Sequence, residues 1–176
     1  MREQARLDFI KLYDPVHQQF YRFCRAISGN HEDAQDLIQD TILNVMEQFD
    51  QIRDHSVFKS YLFSVASNLN KMKMRRLKFK AEFNEKEVTQ IIDLAQDQEY
   101  LTDFKLVYDK ILSLSPRMAE TLILYHISDL TLEEIRKIQG GSLSGVKLRL
   151  KRGREKIMAQ LNNPSQVKVA LMLLSF

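Results

Sequence analysis

The residues with the clearest chemical use lie between Arg136 and Lys156, where eight Lys or Arg stand against one acid, Glu155. The whole chain is almost balanced, with 26 basic and 23 acidic residues, so the charge is concentrated at this place. A cation that neutralises a nucleic-acid phosphate releases counterions and adds affinity that does not depend on base sequence. The segment therefore predicts DNA contact, and a solvated helix end that favours the macrodipole is the alternative.

No pattern typical of catalysis or of metal binding accompanies this charge. The four histidines are scattered, at positions 17, 31, 55 and 126, and the sequence has neither a candidate carboxylate pair nor a glycine-rich phosphate loop. The single cysteine, Cys24, cannot form an intramolecular disulfide and lacks metal-ligand spacing, so we expect it in the core. We expect no enzyme activity, no metal and no cofactor.

The basic segment is predicted to form a helix-turn-helix. Thr131 and Glu134 have the spacing of a capping box, which predicts a helix over 132–139. Gly140 and Gly141 then end it, since glycine takes left-handed backbone angles without strain, and Ser142 can cap the final helix. The second helix of such a motif presents its first turns to base edges. Its predicted DNA-contacting residues are Lys147, Leu148, Arg149, Lys151, Arg152 and Arg154.

A helical pattern over 31–49 separates an apolar face from an acidic one. The face expected to be buried carries Ala34, Leu37, Ile38, Val45, Met46 and Phe49. The opposite face, called here the acidic stripe, carries Asp33, Asp36, Asp40 and Glu47. Leu43 lies in the middle of the stripe, where an apolar side chain favours a covering partner. The stripe therefore predicts contact with a basic protein, although a solvated face is the usual interpretation.

A third helical pattern, over 56–80, carries a mixed outer row. Its inward residues are Phe58, Leu62, Val65, Ala66 and Leu69. Its outward residues, called here the outer row, are Tyr61, Ser64, Asn68, Lys71, Arg75 and Lys78. The row covers 17 residue steps, or about 25 Å of helix. Asparagine can read adenine, tyrosine can stack on an unpaired base and the cations can hold phosphates. The alternative is a packed Tyr61 followed by a solvated helix end.

Scarce glycine and proline, with long periodic segments, predict an all-α chain of two small helical domains. The first helix is expected over 5–28. Seven acids and one lysine between Ala81 and Asp103 indicate an acidic linker. The expected division is therefore a domain at 1–80, the linker at 81–103, a domain at 104–161 that includes a helix starting at Pro116, and an apolar tail at 162–176.

The two ends of the chain predict a cytoplasmic protein without membrane insertion. The amino terminus MREQARLDF is charged, and the tail VKVALMLLSF is too short to span a bilayer. The tail is expected either to close the second domain as an ordinary helix or to pack on the first domain.

In both halves the sequence resembles the extracytoplasmic-function (ECF) sigma factors of bacterial RNA polymerase. FYRFCRAISGNHEDAQDLIQDTILNVM followed by FKSYLFSVASNLNKMKMRR is similar to sigma domain two. LSPRMAETLILYHISDLTLEEIRKIQGGSLSGVKLRLKRGREKI is similar to domain four. Together the two segments cover nearly the whole chain, in the family's order and with an acidic linker between them.

The resemblance implies a transcription initiation factor that delivers core polymerase to promoters. The positions that match the family's polymerase-binding helix, which docks on the β′ clamp helices, are Asp36, Gln39, Asp40, Leu43 and Met46. The loop DQIRDHSV and the outer row match the part that recognises and opens the −10 element, and the final helix would read the −35 element. The implied partners are core RNA polymerase through its β′ and β subunits, promoter DNA and an anti-sigma factor.

The chain departs from the family pattern at several positions. Tyr61 stands where the family usually has Trp, which keeps a stacking ring. In the helix-turn-helix, Arg136 replaces a small residue, and Gln139 and Gly141 replace apolar ones, at a cost of about 1–3 kcal/mol per large side chain. A looser domain four is therefore expected. Two other functions stay open: a helix-turn-helix regulator acting without polymerase, and a sigma-derived interaction protein.

Overall fold

A computed structural model describes the backbone of residues 3–52, 54–79 and 98–174, and the side chains of residues 4–52, 54–75 and 102–174. Within these ranges the regular structure is helical and contains no strand, so the predicted all-α class is confirmed. The chain divides into two compact units, Met1–Glu87 and Val88–Phe176. Most of the expected linker at 81–103 lies outside the described residues, but its last part is helical because a helix begins at Gln98.

In its described residues the first unit has four α-helices and three short 3-10 turns. They are α1 (Glu3–Tyr13), α2 (His17–Ile27), α3 (His31–Gln48) and α4 (Phe58–Phe79), with 3-10 turns at Asp14–Val16, Phe49–Gln51 and His55–Val57. The prediction of one helix over 5–28 is wrong, because a 3-10 turn containing Pro15 separates α1 from α2. Proline has no backbone N–H and its ring clashes with the carbonyl four residues earlier, so an α-helix cannot run through it unbroken.

The core of the first unit is built from aromatic rings between the helices. Phe20 and Phe23 of α2 meet Phe63 of α4, with ring centroids 5.4 and 5.2 Å apart. Of the inward residues predicted on α3 and α4, seven are buried: Ala34, Leu37, Val45, Phe49, Phe58, Leu62 and Ala66. The other four are half-buried: Ile38, Met46, Val65 and Leu69. Phe63 lay outside the predicted stripe but is fully buried, because α4 packs against α2 as well as α3.

In its described residues the second unit combines the helix-turn-helix with three further α-helices. Its α-helices are α5 (Gln98–Leu112), α6 (Pro116–Leu122), α7 (Leu132–Gln139), α8 (Leu143–Met158) and α9 (Pro164–Leu174), and α6 continues into a π-helical turn, Ile123–Ile127. Pro116 opens α6 as predicted, although the Ser115 side chain makes no capping hydrogen bond. The tail forms α9, which packs on α5 and α8 and so belongs to this unit.

A glycine sets the distance between α6 and α8. A Cβ atom added at Gly153 would lie 2.9 Å from Leu122 Cδ1 and 3.2 Å from Met118 Cγ. Because real Cβ atoms essentially never lie within 3.0 Å of another heavy atom, a side chain at this position would require the buried Leu122 side chain or α8 itself to shift. The close approach fixes where the exposed face of α8 points relative to α6 and α7.

Candidate functional site

Local hydrogen bonds fix the helix-turn-helix as the sequence predicts. Both bonds of the capping box form, since Glu134 N donates to Thr131 Oγ1 at 3.3 Å and Thr131 N donates to Glu134 Oε2 at 2.8 Å. Gly140 and Gly141 have φ angles of 71° and 89°, which favour glycine. Ser142 then accepts a hydrogen bond from Gly145 N at 3.1 Å, so α8 starts with a side-chain cap.

Four of the six predicted DNA-contacting residues of α8 lie on its exposed face. These four, called here the α8 row, are Lys147, Leu148, Lys151 and Arg152. Leu148 is 45% exposed among the cations, and the opposite face of α8 buries Val146, Leu150 and Ile157. The row combines cations for phosphates with one apolar side chain that can contact a thymine methyl group.

The other two predicted residues, Arg149 and Arg154, make contacts inside the second unit. Arg149 donates through Nε to Thr121 Oγ1 at 3.1 Å and through Nη2 to Gln139 Oε1 at 3.0 Å. Burial, and then the nearby Arg117, lower the pKa of Arg149. Arg154 reaches His126 Nε2 and lies over the Tyr125 ring, 5.7 Å from its centroid. Both arginines therefore connect α8 to neighbouring segments.

A polar cluster holds the turn between α7 and α8 against α6. The Gln139 side chain accepts from Thr121 Oγ1 at 2.8 Å and donates to Glu120 Oε2 at 2.8 Å. Arg117 Nη2 donates to the carbonyls of Gln139 and Gly140, at 2.7 and 3.1 Å, and so caps the end of α7. With Arg149, these residues form what we call the Gln139 cluster. The polar residue that replaces an apolar one here therefore has hydrogen-bond partners, which offset part of the lost apolar burial.

His126 is held neutral beside this helix pair. Burial, and then the positive charge of Arg154, lower the pKa of His126 to about 4. The Arg154 Nε donates to His126 Nε2 at 3.2 Å, so this nitrogen acts as an acceptor and the ring proton lies on Nδ1.

Arg136, the second departure from the family pattern, pairs with Glu133 at 2.6 Å. This hydrogen-bonded pair lowers the pKa of Glu133 and raises the pKa of Arg136.

On α3, most of the predicted partner-binding residues lie on the surface. Asp36, Gln39 and Asp40 are exposed, and Leu43 is 61% exposed between them and the exposed Glu47. Met46 is half-buried. Asp33 differs from the rest of the acidic stripe because it is half-buried and forms an ion pair with Lys73 of α4. An exposed leucine with acids around it is suited to a partner that offers apolar and basic groups together.

The outer row predicted from the sequence lies on α4 and is called the α4 row from here on. Asn68, Lys71 and Arg75 are exposed, whereas Tyr61 and Ser64 are half-buried. Ser64 Oγ donates to the Ser60 carbonyl at 2.7 Å, and Lys71 Nζ donates to Ser67 Oγ at the same distance. Lys78 belongs to the row by position, but its side chain lies outside the described residues.

Two features next to the α4 row were not predicted from the sequence. The Tyr61 hydroxyl donates to Gln48 Oε1 at 2.7 Å, and the His55 ring stacks on Phe49 with centroids 5.4 Å apart. Asp54 Oδ1 also accepts from Ser56 N at 2.9 Å and so caps the 3-10 turn before α4. The Asp54 cap could be predicted from the two-residue spacing of Asp54 and Ser56. The other two contacts join the end of α3 and the turn after it to segments later in the chain. No local spacing in the sequence predicts such pairs.

The described residues contain neither a membrane-spanning helix nor a group of metal-binding side chains. None of the described helices has the length and apolar character needed to cross a bilayer. In that same part of the chain, His, Cys, Asp and Glu side chains do not gather in groups of three that could hold a metal ion.

Comparison with known proteins finds similarity to sigma factors. Residues 12–79 match the family model of Sigma-70 region 2. The chain is 26% identical to the ECF RNA polymerase sigma factor SigW of Bacillus subtilis over 168 residues, which are 88% of this chain and 89% of that protein. It is 28% identical to the RNA polymerase sigma factor SigV of Bacillus subtilis, with 82% of this chain and 85% of that protein covered.

A solved structure has the same fold. The sigma factor RpoE of Bartonella quintana, in a co-crystal with the anti-sigma factor NepR, superposes with a TM-score of 0.72 over 92% of this chain and 98% of that one, at 24% identity. The likeness extends through both units, because it covers nearly all of either chain. The region 2 match and the curated relatives together support an ECF-type sigma factor of the sigma-70 family.

Proposed function

We propose that the chain, as an ECF sigma factor, binds core RNA polymerase through α3 and promoter DNA through the α4 and α8 rows. Sigma factors of this family direct core polymerase to specific promoters and initiate transcription. The observation that carries the proposal is that one chain exposes an acidic stripe with an apolar centre and two separate rows suited to DNA. A regulator acting without polymerase would leave the stripe without a use.

The polymerase-binding surface that we propose consists of Asp36, Gln39, Asp40, Leu43 and Met46. The exposure of Leu43 supports it, because burying that side chain in an interface gives a favourable apolar contribution in the centre of a charged rim. The expected partner surface is basic with an apolar centre, as the family's β′ clamp helices would offer, and the β subunit is the expected second contact. Asp33 contributes less in this proposal, since it pairs with Lys73 within the unit.

The α4 row is proposed to hold the −10 element after its strands separate. Tyr61 is placed to stack on an unpaired base, Ser64 and Asn68 to hydrogen-bond to base edges or phosphates, and Lys71, Arg75 and Lys78 to neutralise phosphates. The α8 row is proposed to lie in the major groove of the −35 element, with Lys147, Lys151 and Arg152 on phosphates or bases. Arg149 and Arg154 then position α8 through their contacts to Thr121 and His126.

This function requires no bond change by the chain itself, and we propose that it acts without catalysis. It places the chain in the cytoplasm, where RNA polymerase transcribes the chromosome. An anti-sigma partner is proposed as well, because the sigma factor RpoE that superposes on this chain was solved in complex with the anti-sigma factor NepR.

The test of the function is run-off transcription with core polymerase from the source bacterium on fragmented genomic DNA. Transcript starts that appear only when the protein is added, and that share two spaced upstream motifs, are the expected result. Stable polymerase binding without new starts would favour an interaction protein derived from a sigma factor. DNA binding with no polymerase binding would favour the autonomous regulator, and either outcome would overturn the proposal.

Paired variants test the surfaces. Asp40→Lys should abolish polymerase binding and transcription, whereas Asp14→Lys, an equal charge change at an exposed residue in the turn between α1 and α2, should leave both unchanged. Lys151→Ala should reduce the slope of log affinity against log salt by about 0.9 for promoter DNA bound by the holoenzyme. Lys156→Ala, on the last turn of the same helix, should leave that slope unchanged.

A further inference from the structure

A hydrogen bond connects the end of α3 to the first turn of α4. The Tyr61 hydroxyl donates to the side-chain carbonyl oxygen Oε1 of Gln48, with the two oxygens 2.7 Å apart. Gln48 is the last residue of α3, and Tyr61 follows it thirteen positions later in sequence, after two 3-10 turns. The distance between the two oxygens is the one that O–H donors prefer.

The bond acts at the far end of the tyrosine ring. The side chain of tyrosine has two rotatable bonds, so a ring held only at Cα can adopt several orientations. Fixing the hydroxyl selects the orientation in which the ring lies across the gap between the end of α3 and α4. Tyr61 is half-buried, so part of its ring surface stays accessible.

The ring stands at one end of the α4 row. Ser64 and Asn68 follow it at helical spacing, three and seven residues on, so the three side chains share one side of the helix. A base that stacks on an unrestrained ring must also order that ring, and ordering costs part of the binding free energy. A ring that is already fixed avoids this cost and presents its surface in register with the next residues of the row.

We propose that Gln48 is a positioning residue for promoter opening, holding the Tyr61 ring in the orientation that stacks on an unpaired base of the −10 element. The inference rests on the proposed function of the α4 row. Gln48 itself need not touch DNA, because its effect on opening passes through the Tyr61 hydroxyl. Gln48 lies on α3 but is not one of the five residues proposed to bind polymerase.

The experiment uses the full chain in holoenzyme with core polymerase, on a promoter identified by the run-off mapping. A 2-aminopurine base in the −10 element reports strand opening by its fluorescence. Gln48→Ala and Tyr61→Phe each remove the hydrogen bond, and each should reduce the open-complex equilibrium constant by about two- to tenfold. The double variant should lose no more than either single variant, because both changes remove the same bond.

Three controls separate positioning from a general structural role. Gln48→Glu keeps an oxygen acceptor for the hydroxyl and should restore opening. Gln18→Ala, which changes an exposed glutamine on α2 outside every proposed site, should leave opening unchanged. Titration of core polymerase should give the same affinity for Gln48→Ala as for the wild type, since the proposed role lies after docking.

The outcomes distinguish this inference from the function beneath it. If Tyr61→Ala impairs opening while Gln48→Ala and Tyr61→Phe do not, Gln48 has no positioning role. Additive losses in the double variant, or weaker polymerase binding by Gln48→Ala, would also overturn the inference. If Tyr61→Ala itself leaves opening unchanged, the stacking function proposed for Tyr61 fails, and the role of Gln48 fails with it.

Discussion

The close packing of α8 against α6 depends on the absence of a side chain at Gly153. Exchange of a mid-helix glycine for alanine usually stabilises a helix by about 1 kcal/mol. At Gly153 the added methyl group would lie 2.9 Å from Leu122 Cδ1, and Leu122 is fully buried and has little room to move. Overpacking of this kind costs about 1–3 kcal/mol. We therefore expect Gly153→Ala to lower the free energy of unfolding of the second unit, as measured by urea denaturation.

Gly145→Ala is the matched control, in the same helix. Its added methyl group would lie 3.2 Å from Ser142 Oγ, the end of an exposed side chain that can shift. This variant should be as stable as the wild type or more so. Equal stability of the two alanine variants would show that the contact between α6 and α8 is more tolerant than its geometry indicates.

His126 gives the second unit a dependence on pH. Its pKa is about 4 in the folded chain and 6.5 in an unperturbed histidine. Between these values the unfolded chain binds more protons than the folded chain, so the free energy of unfolding rises with pH. Stability is therefore lost as pH falls from 6.5 towards 4.

The variant His126→Gln keeps an acceptor for Arg154 but does not titrate. We expect urea unfolding curves measured at pH 7.5, 6 and 5 to show the wild type losing stability relative to this variant as pH falls. Carboxylates titrate in both proteins and cancel in the difference. Parallel stability profiles for the two proteins would mean that His126 is not desolvated in solution.

At the scale of elements, the turn between α7 and α8 depends on polar contacts. Gln139→Ala removes one hydrogen bond of Glu120, which is 8% exposed, and one of Arg149. The loss of a hydrogen bond inside a folded unit costs about 0.5–1.5 kcal/mol. We expect this variant to lower the urea midpoint of the second unit, and Lys137→Ala, an exposed change on the same helix, to leave it in place. An unchanged midpoint for Gln139→Ala would mean that water replaces the lost bonds.

The elements that were predictable are those whose signals are local. The limits of α3 and α7, the two-glycine turn and the Ser142 cap follow from side chains within four residues of one another. The direction of Arg149 and Arg154 was not predictable, because it depends on acceptors on other segments, Thr121 and His126. A helical wheel places all six candidates of α8 on a basic helix, and only the packing of α6 and the π-helical turn separates four outward residues from two inward ones.

The same difference between local signals and contacts with distant segments decides what could be predicted of the first unit. The period of α4 predicted the residues that face α3, but it did not predict Phe63, which is buried against α2. Asp33 looked like the other acids of its stripe until its pairing with Lys73, forty residues away in sequence, was seen. Pro15 is the exception, since its local geometry alone is enough to interrupt the helix predicted over 5–28.

At the scale of the whole molecule, the chain has one cysteine, and it is completely buried in the first unit. Burial raises the pKa of the Cys24 thiol, so the thiolate that reacts with alkylating reagents is absent from the closed unit. Alkylation therefore requires the first unit to open, and its rate reports how often that happens. We expect labelling at least about a thousandfold slower than in urea.

The alkylation rate of Cys24 should therefore also report what fraction of the chain is bound to core polymerase. A ligand that binds only the closed unit slows its opening in proportion to one plus its concentration over its dissociation constant. At a hundredfold excess over that constant, core polymerase should slow the alkylation of Cys24 by about a hundredfold, as read by mass spectrometry of the peptide that contains it. The Asp40→Lys chain should show no such slowing. Promoter-independent engagement of the factor could thereby be followed over time, without any attached dye.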